Sequence, residues 1–125
     1  MWLVLRSREF ALKAVRLLNE KKASEISLLE LSKVSIIADY FIICEGTSKI
    51  QSRAICDHLL ENLPDDEHVL LRLEGYQEAR WILLDYGDLI VHIFLPEERE
   101  FYNLERLWGK AETIPVNLES SPNSS

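Results

Sequence analysis

Apolar residues recur with helical spacing near the beginning and in the middle of the chain. In the first segment one side of a helix would carry Phe10, Ala14, Leu17 and Leu18. In the second segment the same spacing relates Ile50, Ala54, Ile55, Leu59 and Leu63. Pro64 follows directly, and proline cannot continue a helix. The pattern therefore predicts two amphipathic helices, each with one face available to a core.

Short apolar runs predict about five strands. "DYFIICEG" is rich in aromatic and β-branched residues, as in a buried strand, and Glu25 to Glu30 forms a weaker candidate before it. "EHVLLRLEG" alternates between apolar and polar positions, with Val69, Leu71 and Leu73 on one face. "ARWILLDYGDLIVHIF" predicts a hairpin of two further strands that turns at Gly87, because glycine readily takes the positive φ of a tight turn.

The segment "PEEREFYNLERLWG" predicts one final helix. Pro96 suits the first turn of a helix, where its missing N–H costs nothing. Phe101, Leu104 and Trp108 share one stripe, so we expect these three side chains to be buried. Gly109 marks the end of the helix.

The order of these elements predicts a small α/β domain with a mixed sheet of about five strands flanked by helices. The strand–helix–strand unit from Asp39 to Leu73 predicts two neighbouring parallel strands joined by a right-handed crossover, whereas the later hairpin is antiparallel. We expect residues 1–112 to form a single domain. Residues 113–125 contain two prolines and a cluster of serines, which predicts a flexible C-terminal tail.

Composition narrows the classes of partner. Hydrophobic residues make up 47% of the chain, which suffices for a core, and the net charge is -7. Direct, sequence-specific binding of nucleic acid is disfavoured, because it relies on clustered Lys and Arg, and a basic protein partner fits better. No apolar run approaches the ~18 residues of a membrane span. Without signal-peptide features, and with Cys44 and Cys56 in apolar segments, we expect a cytoplasmic protein with reduced, buried thiols.

The residues from Gly46 to Ser48 are the first candidate for chemistry. They lie where a strand turns into a helix, and the free N–H groups of a helix start can bind phosphate. The turn resembles the Gly-Ser turn of nucleotidyltransferases, but those enzymes also need two carboxylates at alternate strand positions. The following strand, "HVLLRLEG", lacks such a pair. The alternative interpretation is a helix cap by Thr47 or Ser48.

Asp85, Asp88 and His92 form the second candidate, as a metal or proton-transfer site on the hairpin. Aspartate is common beside turns, however, because its side chain accepts hydrogen bonds from nearby backbone N–H groups. The three histidines of the chain lack metal-ligand spacing. No catalytic residue, metal ligand or cofactor is therefore predicted.

Three segments, "ADYFIICEGTS", "EGYQEARWILLDYGDLIVHIF" and "EEREFYNLERLWG", resemble the ribosomal silencing factor family, also called RsfS or the Iojap/YbeB family. The resemblance extends from about Ala11 to Gly109. It implies a nucleotidyltransferase-like fold without the catalytic carboxylates, and neither metal nor nucleotide. It also implies binding to the large ribosomal subunit through ribosomal protein L-fourteen, which would block association with the small subunit and repress translation under nutrient limitation.

The resemblance implies a partner-binding surface on the hairpin and the final helix. Trp81 is the expected apolar centre, and aromatic residues and arginine are enriched among residues that dominate binding energy. The remaining expected contacts are Asp85, Tyr86, Asp88, Pro96, Glu98, Arg99 and Tyr102. Two alternatives stay open: a diverged nucleotidyltransferase that still binds nucleotide at Gly46 to Ser48, and a homodimer that pairs through a self-complementary aromatic face.

Overall fold

The computed structural model describes residues 2–116, and their side chains from residue 6 onward. This range contains four helices and six strands. In chain order they are α1 (Trp2–Glu20), β1 (Ser24–Glu30), β2 (Tyr40–Glu45), α2 (Lys49–Asn62), β3 (Arg72–Glu74), β4 (Trp81–Asp85), β5 (Leu89–Phe94), α3 (Pro96–Tyr102), α4 (Leu104–Leu107) and β6 (Glu112–Ile114).

The strands form one mixed sheet in the order β3-β4-β5-β2-β1-β6. Strands β2 and β5 are parallel, and the other neighbouring pairs are antiparallel. The predicted mixed α/β fold is confirmed, but the predicted parallel pairing of β2 with the strand after α2 is wrong. All six residues of β5 are buried, which suits a central position, whereas Arg72 and Glu74 of the short β3 are exposed and suit a sheet edge.

A sixth strand, β6, was not predicted. It pairs with β1, and Ile114 is buried against the core, so the tail boundary expected at Thr113 is wrong. The pairing satisfies backbone groups along an otherwise open edge of β1, which explains why this short segment is ordered. The rest of the expected tail, residues 117–125, lies outside the described residues.

The sheet separates two apolar layers. Helices α1 and α2 cover one face, where Phe10, Leu18, Leu59, Ile82 and Leu84 are buried. On the other face, the short helices α3 and α4 leave a thinner layer that includes Phe41, Ile90 and Phe94, with Trp81 and Trp108 packed against it. Because successive strand side chains point to opposite faces, adjacent residues of the hairpin belong to different layers.

Gly87 and Pro64 mark a turn and a helix end, as predicted. Gly87 has φ +88° in the hairpin turn, and its N–H donates to Asp85 Oδ1 at 2.8 Å. Helix α2 ends at Asn62, with Leu63 as its C-cap directly before Pro64. Ile50, by contrast, was expected on the buried face of α2 but is 80% exposed.

Candidate functional site

Trp81 is the centre of an aromatic cluster at the open end of the β4–β5 hairpin. It lies opposite Phe94, and its ring centroid is 4.9 Å from that of Phe94 and 4.7 Å from that of Tyr102. The indole N–H donates to His92 Nδ1 at 3.0 Å. The half-buried indole is therefore held in one orientation while part of its apolar surface stays accessible.

His92 lies beneath this cluster as a sheet residue. Because Nδ1 accepts the bond from Trp81, the proton of the neutral ring is on Nε2, which is buried without a hydrogen-bond partner among the described residues. Burial lowers the pKa of His92 to about 4, so the ring is neutral near pH 7. The ring packs beside Phe41, with 4.7 Å between centroids, and not beside Asp88.

We expect His92 alone to reduce the free energy of unfolding by about 2 kcal/mol between about pH 7.5 and about pH 5. An unfolded histidine takes up a proton near pH 6.5, but the folded one does so only near pH 4. In this window the unfolded state binds more protons, so stability decreases as the pH falls. Urea denaturation at several pH values, compared with His92→Gln, would measure the difference. Parallel stability curves for the two proteins would contradict it.

The turn residues of the hairpin do not converge with Trp81. Tyr86 is 3% exposed and contacts Phe10 on the α1 side, so its expected role at the border of the surface is wrong. Strand alternation places it on the face opposite Trp81. Asp88 also faces α1, since its Oδ2 accepts from Ser7 Oγ at 3.0 Å. Asp85 has the same strand parity as Trp81 but lies at the other end of β4.

The α3 residues that were expected to contact the partner lie partly on the surface and partly in the interior. Pro96 begins the helix, Tyr102 is half exposed beside Trp81, and the Glu98 carboxylate lies 3.5 Å from the Arg80 guanidinium. Arg99 instead turns inward, with its side chain only 12% exposed. Of these four residues, Tyr102 is the one whose contact with Trp81 the structure shows.

Arg99 fixes α3 to the sheet. Its guanidinium donates to Glu105 Oε2 at 2.8 Å and to Ser27 Oγ at 3.2 Å, and it lies 3.3 Å from a Glu45 carboxylate oxygen. The hydrogen bond from Arg99 holds the pKa of Glu105 below its ordinary value. The expectation of Arg99 as a partner contact is not supported by this geometry, because its donors already bind groups of the same chain.

Arg99→Met is expected to lower the free energy of unfolding by about 2 kcal/mol, because Glu45 and Glu105 would be left close together without their cation. Methionine retains most of the apolar stem, so the loss reports the charge and the hydrogen bonds. The matched control is Arg106→Met at an exposed position of α4, where a change within about 0.5 kcal/mol is expected. Equal denaturation midpoints for both variants would contradict the role given to Arg99.

Phe101 is a surface residue that the sequence pattern misplaced. It is 81% exposed, although the predicted helical stripe put it in the core with Leu104 and Trp108. Asn103 takes a left-handed conformation with φ +46°, which ends α3 and changes the phase of the following residues. Leu104 and Trp108 consequently pack inward while Phe101 points outward. The signal in the sequence was Asn103, since asparagine tolerates this conformation better than most residues.

The Gly46 to Ser48 turn is a helix cap. Ser48 Oγ accepts from the backbone N–H of Gln51 at 3.1 Å, and the backbone N–H of Thr47 donates to Gln51 Oε1 at 2.6 Å. A Cβ at Gly46 would overlap the Ser52 hydroxyl, so glycine allows the turn to pack closely against α2. The polar groups of the turn thus stabilise the helix start.

Within the described part of the chain, the site consists of an accessible aromatic surface beside α3. No group of three or more His, Cys, Asp or Glu side chains there could hold a metal ion, and none of its helices is long and apolar enough to cross a membrane. Cys44 and Cys56 are buried free thiols, and burial raises the pKa of each to about 12. The aromatic cluster of Trp81, Phe101 and Tyr102, in which Phe101 and Tyr102 are exposed and Trp81 is half-buried, is the feature that suits contact with another macromolecule.

The chain belongs to the ribosomal silencing factor family: the model "Ribosomal silencing factor during starvation" matches residues 4–125. It is 42% identical to ribosomal silencing factor RsfS of Halalkalibacterium halodurans over 112 residues, covering 90% of this chain and 96% of the relative. It is 32% identical to the mouse protein named mitochondrial assembly of ribosomal large subunit protein 1, covering 83% of this chain and 52% of that protein. A crystal structure from Chromobacterium violaceum superposes with a TM-score of 0.78 at 27% identity, covering 94% of this chain and 98% of that one.

Proposed function

We propose that this protein binds the large ribosomal subunit through ribosomal protein L-fourteen and thereby blocks association with the small subunit. The observation that carries the proposal is the aromatic cluster on the thinly covered face of the sheet, where the half-buried Trp81 lies beside the exposed Tyr102 and Phe101. Membership of the family supports a ribosomal target, and the name of the mouse relative refers to the large subunit. The proposed outcome is repression of translation in the cytoplasm when nutrients are limiting.

Charge supports a basic protein as the direct contact. The chain has a net charge of -7, and the exposed Glu97 and Glu100 line one groove together with Phe101 on α3. A basic partner surface would be attracted over a long range and then oriented by these carboxylates. Neither step requires catalysis: the protein and the small subunit compete for one surface, and occupancy determines the amount of joined ribosome.

Co-sedimentation with separated ribosomal subunits tests the target, and a subunit-joining assay tests the consequence. We expect the protein to pellet with large subunits but not with small subunits, and to reduce joined ribosomes as its concentration rises. An excess of small subunits should relieve the inhibition if the mechanism is competition. A protein that pellets with neither subunit, or that binds large subunits without reducing joining, would contradict the proposal.

A further inference from the structure

A second group of exposed apolar residues lies in the loop 31–39 between β1 and β2. Ile36 is fully exposed, and Ile37 and Val34 are 61% and 42% exposed. Three large aliphatic side chains within four positions are unusual on a protein surface, because the contact of aliphatic groups with water is unfavourable. We name Val34, Ile36 and Ile37 the apolar loop.

The apolar loop and Trp81 lie at opposite ends of the sheet. Tyr40, which follows the loop, pairs with Leu89 at the start of β5, whereas Trp81 pairs with Phe94 at its end. The five steps from Leu89 to Phe94, at about 3.3 Å each, separate the two ends by about 17 Å along the strand. A standard protein interface covers about 800 Å² on each partner, which is wide enough to include both.

Helices α3 and α4 connect the two ends across the same face of the sheet. Leu107, which is 73% exposed, contributes to a groove of about 580 Å³ with Phe101 and Tyr102. It also contributes to a second groove of about 370 Å³ with Val34 and Trp108. The two grooves therefore share Leu107 and Arg106, and Leu107 lies between the aromatic cluster and the apolar loop.

We propose that the apolar loop is a second contact for the same protein partner, an inference that rests on the proposed function. The partner would present two apolar patches about 17 Å apart, with basic residues near the one that receives Phe101. Isoleucine offers no hydrogen bonds, so the loop suits an apolar hollow on a protein. A second copy of this chain fits less well, because each copy carries a net charge of -7 and Glu97 and Glu100 lie on this surface.

The test compares Ile36→Ser/Ile37→Ser with Ile50→Ser in a titration of large ribosomal subunits. Ile50 is equally apolar and 80% exposed, but it lies on α2, which covers the opposite face of the sheet. We expect about a tenfold loss of affinity for the loop variant and an unchanged affinity for the control. Thermal melting should show that both variants stay folded, since the replaced side chains are exposed.

Three outcomes would overturn the inference in distinguishable ways. Unchanged affinity of the loop variant, with binding by the wild-type protein, would refute the loop contact alone. Equal losses for the loop variant and Ile50→Ser would show a general effect of surface polarity. Absence of wild-type binding would refute the proposed function itself. Sedimentation velocity would measure the oligomeric state of both proteins. If the wild-type protein forms a dimer that the loop variant cannot form, the loop contacts a second copy of the chain instead.

Discussion

Trp81→Ala is expected to weaken binding to the large ribosomal subunit by about 3 kcal/mol, roughly a 150-fold increase in Kd. The indole is held in place by Phe94, Tyr102 and the hydrogen bond to His92, so it meets a partner without losing rotamer freedom. Truncation would remove its apolar surface and would also release Tyr102. Titration of labelled protein with large subunits would measure the change in Kd.

The control for this experiment is Trp81→Phe, which keeps an aromatic ring but removes the donor to His92 Nδ1. We expect it to retain most of the affinity, because apolar contact area dominates the energy of an aromatic residue in an interface. Unchanged co-sedimentation of a folded Trp81→Ala variant would contradict the central role of this residue. A loss in both variants would instead point to the hydrogen bond with His92.

Local pattern was sufficient for most of the fold. The hairpin, its turn at Gly87 and the end of α2 before Pro64 depend on residues close in sequence, and their signals are direct. Strand order is different, because it depends on which strands compete for the centre of the sheet. Val69 and Leu71 alternated as expected of a strand, yet both are exposed and only Arg72–Glu74 pairs with β4. Strand β6 likewise depends on the open edge of β1, a non-local feature.

The candidate site was only partly predictable for the same reason. The period of two already places Tyr86 opposite Trp81, so the pattern itself argues against Tyr86 as a surface contact. The outward position of Phe101 depends on one left-handed residue, Asn103, which shifts the helical phase. The inward position of Arg99 depends on Glu45 and Glu105, which the fold brings together from distant parts of the chain.

These corrections change the description of the surface more than its location. Asp88 and Tyr86 belong to the α1 side, and Arg99 holds α3 in place. In the proposed interface, the exposed Phe101, Tyr102 and Leu107 of α3 and α4 replace the residues of the hairpin turn. A face covered by two short helices, rather than by the longer α1 and α2, leaves apolar residues accessible without exposing the main core.

The position of Trp81 also depends on a glycine in the preceding loop. Gly75 has φ +80°, and a Cβ there would overlap the carbonyl oxygen of Trp81. Both features require glycine: the first because L side chains rarely adopt this backbone conformation, and the second because the neighbouring atom belongs to the backbone and cannot move aside. The loop therefore packs directly against the backbone at the start of β4, because Gly75 has no side chain.

We expect Gly75→Ala to lower the free energy of unfolding by about 3 kcal/mol or more, about 1 kcal/mol from the left-handed backbone and the rest from the overlap. Gly87→Ala is the matched control, since Gly87 has φ +88° but its Cβ would come no closer than 3.5 Å to a side-chain atom of Leu71. This control isolates the backbone cost, expected to be about 1 kcal/mol. Urea denaturation of the three proteins would give both values. Equal destabilisation by the two alanines would mean that β4 shifts without cost. In that case the close packing at Gly75 would not determine the position of Trp81. A larger loss of stability for Gly75→Ala, together with weaker binding to large subunits, would link the loop to the orientation of the indole.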